Sequence, residues 1–416
     1  MSKKIKIFTI SDHPLSPSGV GCQTRYIIEG MLKTGKYQFV SFGGAIKHEK
    51  HEPQHTEEWG HDWVIWPVDG YGNPDMVRAM IHQQKPDIMW FMTDPRFYGW
   101  LWQIENEIRP HVPMVYYHVW DNYPYPTFNR PYYLSNDHVA CISKLTHDIV
   151  QNVSPEVGSS YMPHAVDPDI FRPMDAVDIR AHKSKRDLEN KFVCFWNSRN
   201  ARRKQSGSVI WWFKEFLDRV GQDKATLIMH TDVKDQHGQD LEAIIHELGL
   251  TNGEVLFSQQ KVTPHDLAMV YNIADVTINI SDAEGFGLSA LESLSSGTPI
   301  IVTMTGGLQD QVTDGKNWFG VGIEPASKAI IGSQEVPYIY EDRINKEDFL
   351  KALLRVYEMS AEERHEWGLK AREWVETNFA FDDFVQRWDD LFEKINTTYG
   401  SWETRTDYQQ YEVRTF

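Results

Sequence analysis

Residues 271–307 read YNIADVTINISDAEGFGLSALESLSSGTPIIVTMTGG. An apolar, β-branched run over 276–281 gives way to a tight loop, Asp282 to Gly287, and then to a helical pattern from Leu288. Gly285 and Gly287 allow the backbone to come close to a ligand. The first N–H groups of a helix have no partner within it, so those near Gly287 and Leu288 form an anion site. Glu284 stands in the loop, and Glu292 follows two turns along the helix. Two carboxylates beside a phosphate would repel it. They make sense if each accepts hydrogen bonds from sugar hydroxyls, one on a transferred sugar and one on the ribose of a nucleotide.

Working outward, the same strand–loop–helix unit recurs. Strands are expected at 192–197, 225–231, 254–258, 276–281 and 299–303, with helices at 209–219, 241–248, 266–273 and 288–296. An earlier series has strands at 5–10, 38–42, 63–68, 87–92, 113–118 and 138–143. Helices fall at 22–33, 75–84, 97–108 and 144–152. Short runs that are apolar on both faces, alternating with helices, indicate parallel sheets covered on both sides, so each series reads as a doubly wound α/β domain. The expected division is 1–173 and 190–380. Between them lie the Pro- and Asp-rich PHAVDPDIFRP (163–173) and a charged stretch without periodicity, 174–190. Helices at 346–358, 361–377 and 382–395 close the chain. In the last, Phe384, Trp388, Leu391, Phe392 and Ile395 share one face, as a core stripe does.

The net charge of −17 weighs against a general nucleic-acid binder, because an acidic surface repels a phosphate backbone. Cys22, Cys141 and Cys194 are far apart, with no CxxC pair and no His at zinc spacing, so neither structural zinc nor a disulfide framework is expected. No run reaches the ~18 apolar residues of a membrane span. The start, MSKKIKIFTI, reads as a first strand rather than a signal peptide. A soluble cytoplasmic protein with no stable membrane insertion is the expectation.

The run from Tyr271 to Gly307 resembles the family-4 retaining glycosyltransferases. Their hallmark is Glu-x7-Glu with an internal GFGL, preceded by Y-x-x-A-D-V and followed by S-G-T-P-I-I and T-G-G. The resemblance implies a GT-B fold: two Rossmann-like doubly wound domains facing each other across a cleft. The N-terminal domain would take the acceptor and the C-terminal domain the nucleotide-sugar donor. Residues 381–416 would form a closing helix and tail packing back on the N-terminal domain. Glu284, Gly285, Phe286, Gly287, Leu288 and Glu292 would bind the donor. In FWNSRNARRKQ (195–205), Arg199 and Lys204 match the pair that binds the donor diphosphate, with Ser198 replacing the usual glycine. A fork-shaped guanidinium and an ammonium would neutralise that leaving group. In SDHPLSPSGVGCQ (11–23), Gly19 matches the second glycine of the family's loop near the donor phosphate, and Ser18 replaces the first. His118, at the end of VPMVYYH, matches a histidine facing the donor sugar. PHAVDPDIFRP resembles the interdomain segment, with His164 and Ala165 departing from Asn-Gly. This assigns Asp167 and Asp169 to the connection rather than to a metal site, and neither metal nor other cofactor is expected.

The resemblance further implies transfer with retention, the departing phosphate oxygen taking the acceptor's proton. The acceptor stays open between a glycan, a small molecule and modified DNA, the last as in phage enzymes that glycosylate hydroxymethylated bases. The segment HVWDNYPYPTFNRPYY (118–133) offers aromatics for stacking on a sugar or a flipped base, and packing explains them equally well. A sugar-nucleotide epimerase and a non-catalytic sugar-nucleotide binder are the remaining alternatives. The stretch 326–345 is longer than the family's pattern and reads as either a lid or a surface excursion.

Overall fold

The computed structural model describes residues 3–408. The chain divides into two compact units. One comprises the residues up to His164, Gln334–Val336 and the residues from Asp382 on; the other comprises Ala165–Ser333 and Pro337–Phe381. The change of unit thus falls at His164–Ala165, inside PHAVDPDIFRP, rather than at Pro173. His164 stays with the first unit, where its Nδ1 meets the Tyr117 hydroxyl at 2.7 Å.

The first unit holds an eight-stranded sheet. Its strands are β1 (Ile5–Asp12), β2 (Tyr37–Gly44), β3 (Gln54–His55), β4 (Trp63–Pro67), β5 (Ile88–Thr93), β6 (Met114–His118), β7 (His138–Cys141) and β8 (Gly158–Tyr161). Their spatial order is β3-β4-β2-β1-β5-β6-β7-β8, parallel except where β3 pairs with β4. β5 and β6 are buried along their whole length, as central strands covered on both faces are. The helix Phe381–Tyr399 buries Phe384, Trp388, Leu391, Phe392 and Ile395. Trp388 packs edge-on against Trp90 and Tyr117, with centroids 5.9 and 4.8 Å away. The Tyr37 hydroxyl donates to Asp389 Oδ1 at 2.7 Å.

Beyond that helix, Trp402 stacks on His111 and donates its ring N–H to the Pro86 carbonyl. Arg405 and Arg109 both reach Asp137, at 2.6 and 3.1 Å. The Asp137 side chain is only 1% exposed, so its charge is held by those two guanidinium groups and by the Met114 amide.

The second unit holds a six-stranded parallel sheet of β9 (Phe192–Asn197), β10 (Ala225–His230), β11 (Val255–Ser258), β12 (Val276–Asn279), β13 (Ile300–Thr303) and β14 (Gly320–Ile323). The order is β11-β10-β9-β12-β13-β14. The sequence therefore runs outward in both directions from the β9–β12 pair. The connections leave the two carboxyl ends in opposite senses there, which opens the crevice where α/β sheets bind ligands.

Several elements differ from the sequence expectations. The 97–108 helix is broken into Gly99–Trp102 and Glu105–Ile108. The chain leaves helical geometry at Ile104 (φ −111°), and Trp102, Ile104 and Ile108 are all buried. The stretch 174–190, read as irregular, contains the helix Ala176–Ser184, capped by the Asp175 carboxylate. None of its residues is buried, so it has no apolar period to detect. The 326–345 stretch forms an antiparallel hairpin, β15 (Ser327–Ile331) with β16 (Ile339–Arg343).

Removing one partner of a buried ion pair strands the others, so Asp137→Ala should destabilise the first unit by about 3–5 kcal/mol. Denaturant unfolding followed by the first unit's tryptophans checks this. An unchanged midpoint would show that the two arginines stand equally well without it.

Candidate functional site

The carboxyl ends of β9 and β12 carry the two polar residues that start the site, Asn197 and Asn279. After β9 the chain makes a short 3-10 turn, Arg202–Lys204. It then adopts a left-handed conformation at Gln205 (φ +59°) to enter the helix Ser206–Val220. After β12 it forms the loop 281–287. The two loops are bonded together: the Asp282 amide donates to the Arg203 carbonyl at 2.8 Å, and the Arg203 guanidinium donates to the Ala283 carbonyl. This brings Lys204 onto Glu284, where its ammonium donates to Oε2. Asn279 Nδ2 donates to the same oxygen at 3.3 Å, and Ser281 Oγ, which donates to Asn279 Oδ1 at 2.6 Å, holds that amide in place. The other oxygen, Oε1, has no hydrogen-bond partner among the described residues. Burial would raise the Glu284 pKa, but the charges of Lys204 and Arg203 outweigh it and hold the carboxyl below its ordinary range.

Gly287 (φ +91°) then starts the helix Leu288–Ser295. A Cβ at this position would stand 2.5 Å from Leu308 Cδ2, so both the backbone angle and the space call for glycine. No side chain caps this helix, which leaves its first amides available. Gly307 closes the loop from behind. Its amide donates to the Glu284 carbonyl at 3.0 Å, and a Cβ there would meet Phe286 Cα at 2.6 Å. Phe286 itself is buried, and its carbonyl accepts from Gln311 Nε2. It supports the loop rather than facing outward.

Glu292 lies on the same helix. The Tyr271 hydroxyl donates to its Oε2 at 2.6 Å. Burial pushes the Glu292 pKa up to about 7, with the Tyr271 hydrogen bond pulling it back part of the way. The two glutamates therefore differ in charge behaviour. Glu284 is fixed as a carboxylate by its cations, and Glu292 titrates near neutrality.

The remaining site residues expected from the sequence have surroundings of their own. Arg199 lies outside the group, paired with Asp235 at 2.6 and 3.1 Å and with its side chain 61% exposed. The cation beside Lys204 and Glu284 is Arg203. His118 belongs to the first unit and is fully buried. Its Nε2 meets the Tyr133 hydroxyl at 2.9 Å and its Nδ1 the Tyr116 hydroxyl at 3.2 Å, and burial lowers its pKa to about 3. Both ring nitrogens are engaged by neighbours, so this histidine offers neither to a ligand. Gly19, also in the first unit, is the first residue of the helix Gly19–Lys33. Ser18 caps that helix by accepting from the Gly21 amide, and donates to Asp12 Oδ2 at 2.6 Å. That helix start is thus already furnished with a serine cap and a carboxylate. In 118–133, Trp120 and Tyr133 are buried, and Tyr123 and Tyr125 both donate to Asp148.

Sequence reading missed Asn197, Arg203, Tyr271, Asn279 and Asp282. The available signal was a polar residue ending an otherwise apolar parallel strand, which marks both asparagines. Asp282 holds the hairpin to the site loop. Its side chain receives Arg343 at 2.9 Å and Gln205 at 2.7 Å, its carbonyl receives the Asp342 amide, and burial raises its pKa to about 6. Arg202 forms a bidentate pair with Glu341, at 2.6 and 2.8 Å.

The glycosyl transferases group 1 family matches residues 182–374. The chain is similar to the D-inositol 3-phosphate glycosyltransferase of Corynebacterium jeikeium (strain K411), at 31% identity over 162 residues, 38% of each protein. It is similar to the enzyme of the same name from Corynebacterium urealyticum, at 31% identity over 139 residues, 33% of this chain and 30% of the relative. The chain therefore matches about a third of the length of these relatives. Among solved structures it is similar to sucrose-phosphate synthase from Thermosynechococcus elongatus, with a TM-score of 0.75 at 16% identity over 95% of this chain and 100% of that one. Anabaena HepE in complex with UDP-glucose superposes with a TM-score of 0.68 at 15% identity, over 94% and 100% of the two chains. Among the described residues no helix is long and apolar enough to cross a membrane. Residues 182–374 thus match the glycosyl transferases group 1 model, and the chain has the GT-B fold of these solved structures.

Proposed function

We propose that this protein is a retaining glycosyltransferase that moves a sugar from a nucleotide-sugar donor, a UDP-sugar first among candidates, to an acceptor hydroxyl. The observation that carries the reading is one cluster at the β9–β12 crevice. It combines an uncapped helix start at Gly287, the Lys204 ammonium, and two glutamates each with one oxygen bound by the protein. Cations and helix amides suit a diphosphate, and carboxylates suit hydroxyls. The UDP-glucose held by the HepE structure supports the donor class.

In this reaction the acceptor oxygen forms a bond to the anomeric carbon as that carbon's bond to the diphosphate oxygen breaks. Attack comes from the face the diphosphate leaves, which retains the configuration. The acceptor's proton passes to the departing phosphate oxygen, so no side-chain nucleophile or base is required. The negative charge that develops on the diphosphate is met by Lys204, Arg203 and the amides of Gly287 and Leu288. These groups are already in place and need little reorganisation. Glu284 accepts from a hydroxyl of the donor sugar through its open oxygen, and Glu292 accepts from the ribose. His118, held neutral by burial, shapes the first unit rather than moving a proton. The acceptor is expected to be a hydroxyl compound outside the membrane interior.

A thermal-shift screen of UDP-, GDP- and ADP-sugars tests the donor. At 100 times its Kd a nucleotide adds about 2.7 kcal/mol of stability, a readable shift that Glu292→Ala should abolish. No shift with any donor would overturn the reading. Lys204→Ala should lower kcat by roughly 10²–10³, the loss seen when one preorganised donor to a developing oxyanion is removed. Unchanged turnover would remove Lys204 from the chemistry. Arg203→Ala should cost more in kcat than Arg199→Ala, and the reverse order would return the role to Arg199. Product NMR should show the donor's anomeric configuration, and an inverted product would end the retaining assignment.

A further inference from the structure

Glu292 is useful to a ribose only if it accepts. A protonated carboxyl would instead present a hydrogen of its own to the hydroxyls. Something must fix its orientation and its role, and the contacts of Tyr271 supply both. The phenol is fully buried on the helix Pro264–Ile273, its ring edge-on to Phe195 with centroids 4.9 Å apart. Asn197 Nδ2, at the carboxyl end of β9, donates to the phenol oxygen at 2.8 Å. A phenol has one proton. With its oxygen accepting from Asn197, that proton is directed to Glu292 Oε2, 2.6 Å away. Oε1 is left without a partner among the described residues.

We infer that Tyr271 is a positioning residue for the donor nucleotide: the chain Asn197–Tyr271–Glu292 holds one carboxylate oxygen and commits the other to accept from the ribose hydroxyls. This rests on the donor-binding reading of Glu292 given above. The arrangement joins three elements, β9 and the helices Pro264–Ile273 and Leu288–Ser295, so that one hydrogen-bonded line sets the angle of the carboxylate plane.

The inference has a signature in pH. The helix Leu288–Ser295 packs on Pro264–Ile273, Leu308–Val312, Ala361–Asn378, β12 and β13. β12 and β13 carry no ionisable residue, and Leu308–Val312 carries Asp310. On Ala361–Asn378, Arg372 is bound to the Ser295 carbonyl at the far end of the helix. Of the groups on these elements, Tyr271 is the one that acts on the charge of Glu292. Burial raises the Glu292 pKa to about 7 and the phenol lowers it, so losing the phenol proton should move it higher. The carboxylate form is the one that binds, so nucleotide affinity should fall as pH drops through the Glu292 pKa. In Tyr271→Phe that fall should begin at a higher pH.

The test is calorimetric titration with UDP, or with the nucleoside diphosphate of whichever donor the screen selects, from pH 6 to 9. In Tyr271→Phe the Kd should rise about tenfold at pH 7, as expected for loss of a hydrogen bond to a charged group, and should recover most of the way at pH 9. Asn197→Ala, which leaves the phenol in place but frees it to turn, should give a smaller shift of the same sign. In a Glu292→Gln background, where position 292 no longer titrates, Tyr271→Phe should not move the pH profile. If Glu292→Ala does not weaken nucleotide binding, the donor-site reading itself fails. If Glu292→Ala weakens it but Tyr271→Phe leaves Kd unchanged, or raises it equally at every pH, the positioning role fails and the phenol serves packing alone.

Discussion

The second unit's site depends on the divergence of the chain at the carboxyl ends of β9 and β12. The strands pair Val276 with Cys194 and Thr277 with Phe195, and both end in asparagine shortly after. From there the chain goes one way to Lys204 and the other way to Glu284. A buried carboxylate is costly unless it is matched by a cation or by hydrogen-bond donors. The loop from β9 brings the cation, and Asn279, held by the Ser281 hydroxyl, brings a donor. Neither loop would hold its shape alone. The hydrogen bonds that join Arg203 to Asp282 and Ala283 make them one body, and Gly287 and Gly307 supply the closeness this needs.

That body assigns different tasks to chemically identical residues. Glu284 and Glu292 are both mostly shielded from solvent and both bound through one oxygen. The neighbours of Glu284 are cations, whereas that of Glu292 is a neutral phenol. The first carboxylate tolerates a falling pH, and the second stands at the edge of protonation. A ligand that needs both is therefore sensitive to acidity through the second one.

The architecture was legible where burial imposes a period. β-Branched runs such as 276–281 and the stripe from Phe384 to Ile395 register as strand and helix because one pattern of side chains must leave water. The helix Ala176–Ser184 buries nothing, so its sequence has no such signature. The cluster of Lys204, Glu284, the Gly287 helix start and Glu292 was readable because the motif is contiguous and its glycines have a geometric reason. Arg199 pairs with Asp235 on the surface, and spacing alone cannot tell such an arginine from one that reaches the loop. Tyr271 lay in the quoted motif, but only its distance to Glu292 gives it a role. His118 stands at a strand end, as spacing indicated, and Tyr116 shares its strand face two residues back, while Tyr133 comes from a position no local pattern connects.

The first unit is assembled from separated parts of the chain. Its sheet is made by residues before His164, yet Trp388, Asp389, Trp402 and Arg405 belong to it from beyond the second unit. During synthesis the ribosome therefore completes the second unit while the first still lacks its last helix. The nascent sheet must wait with the apolar edges of Trp90 and Tyr117 uncovered. Domains emerging from a ribosome commonly mature in chain order. Here the order is inverted, and the unit begun first is the one finished last.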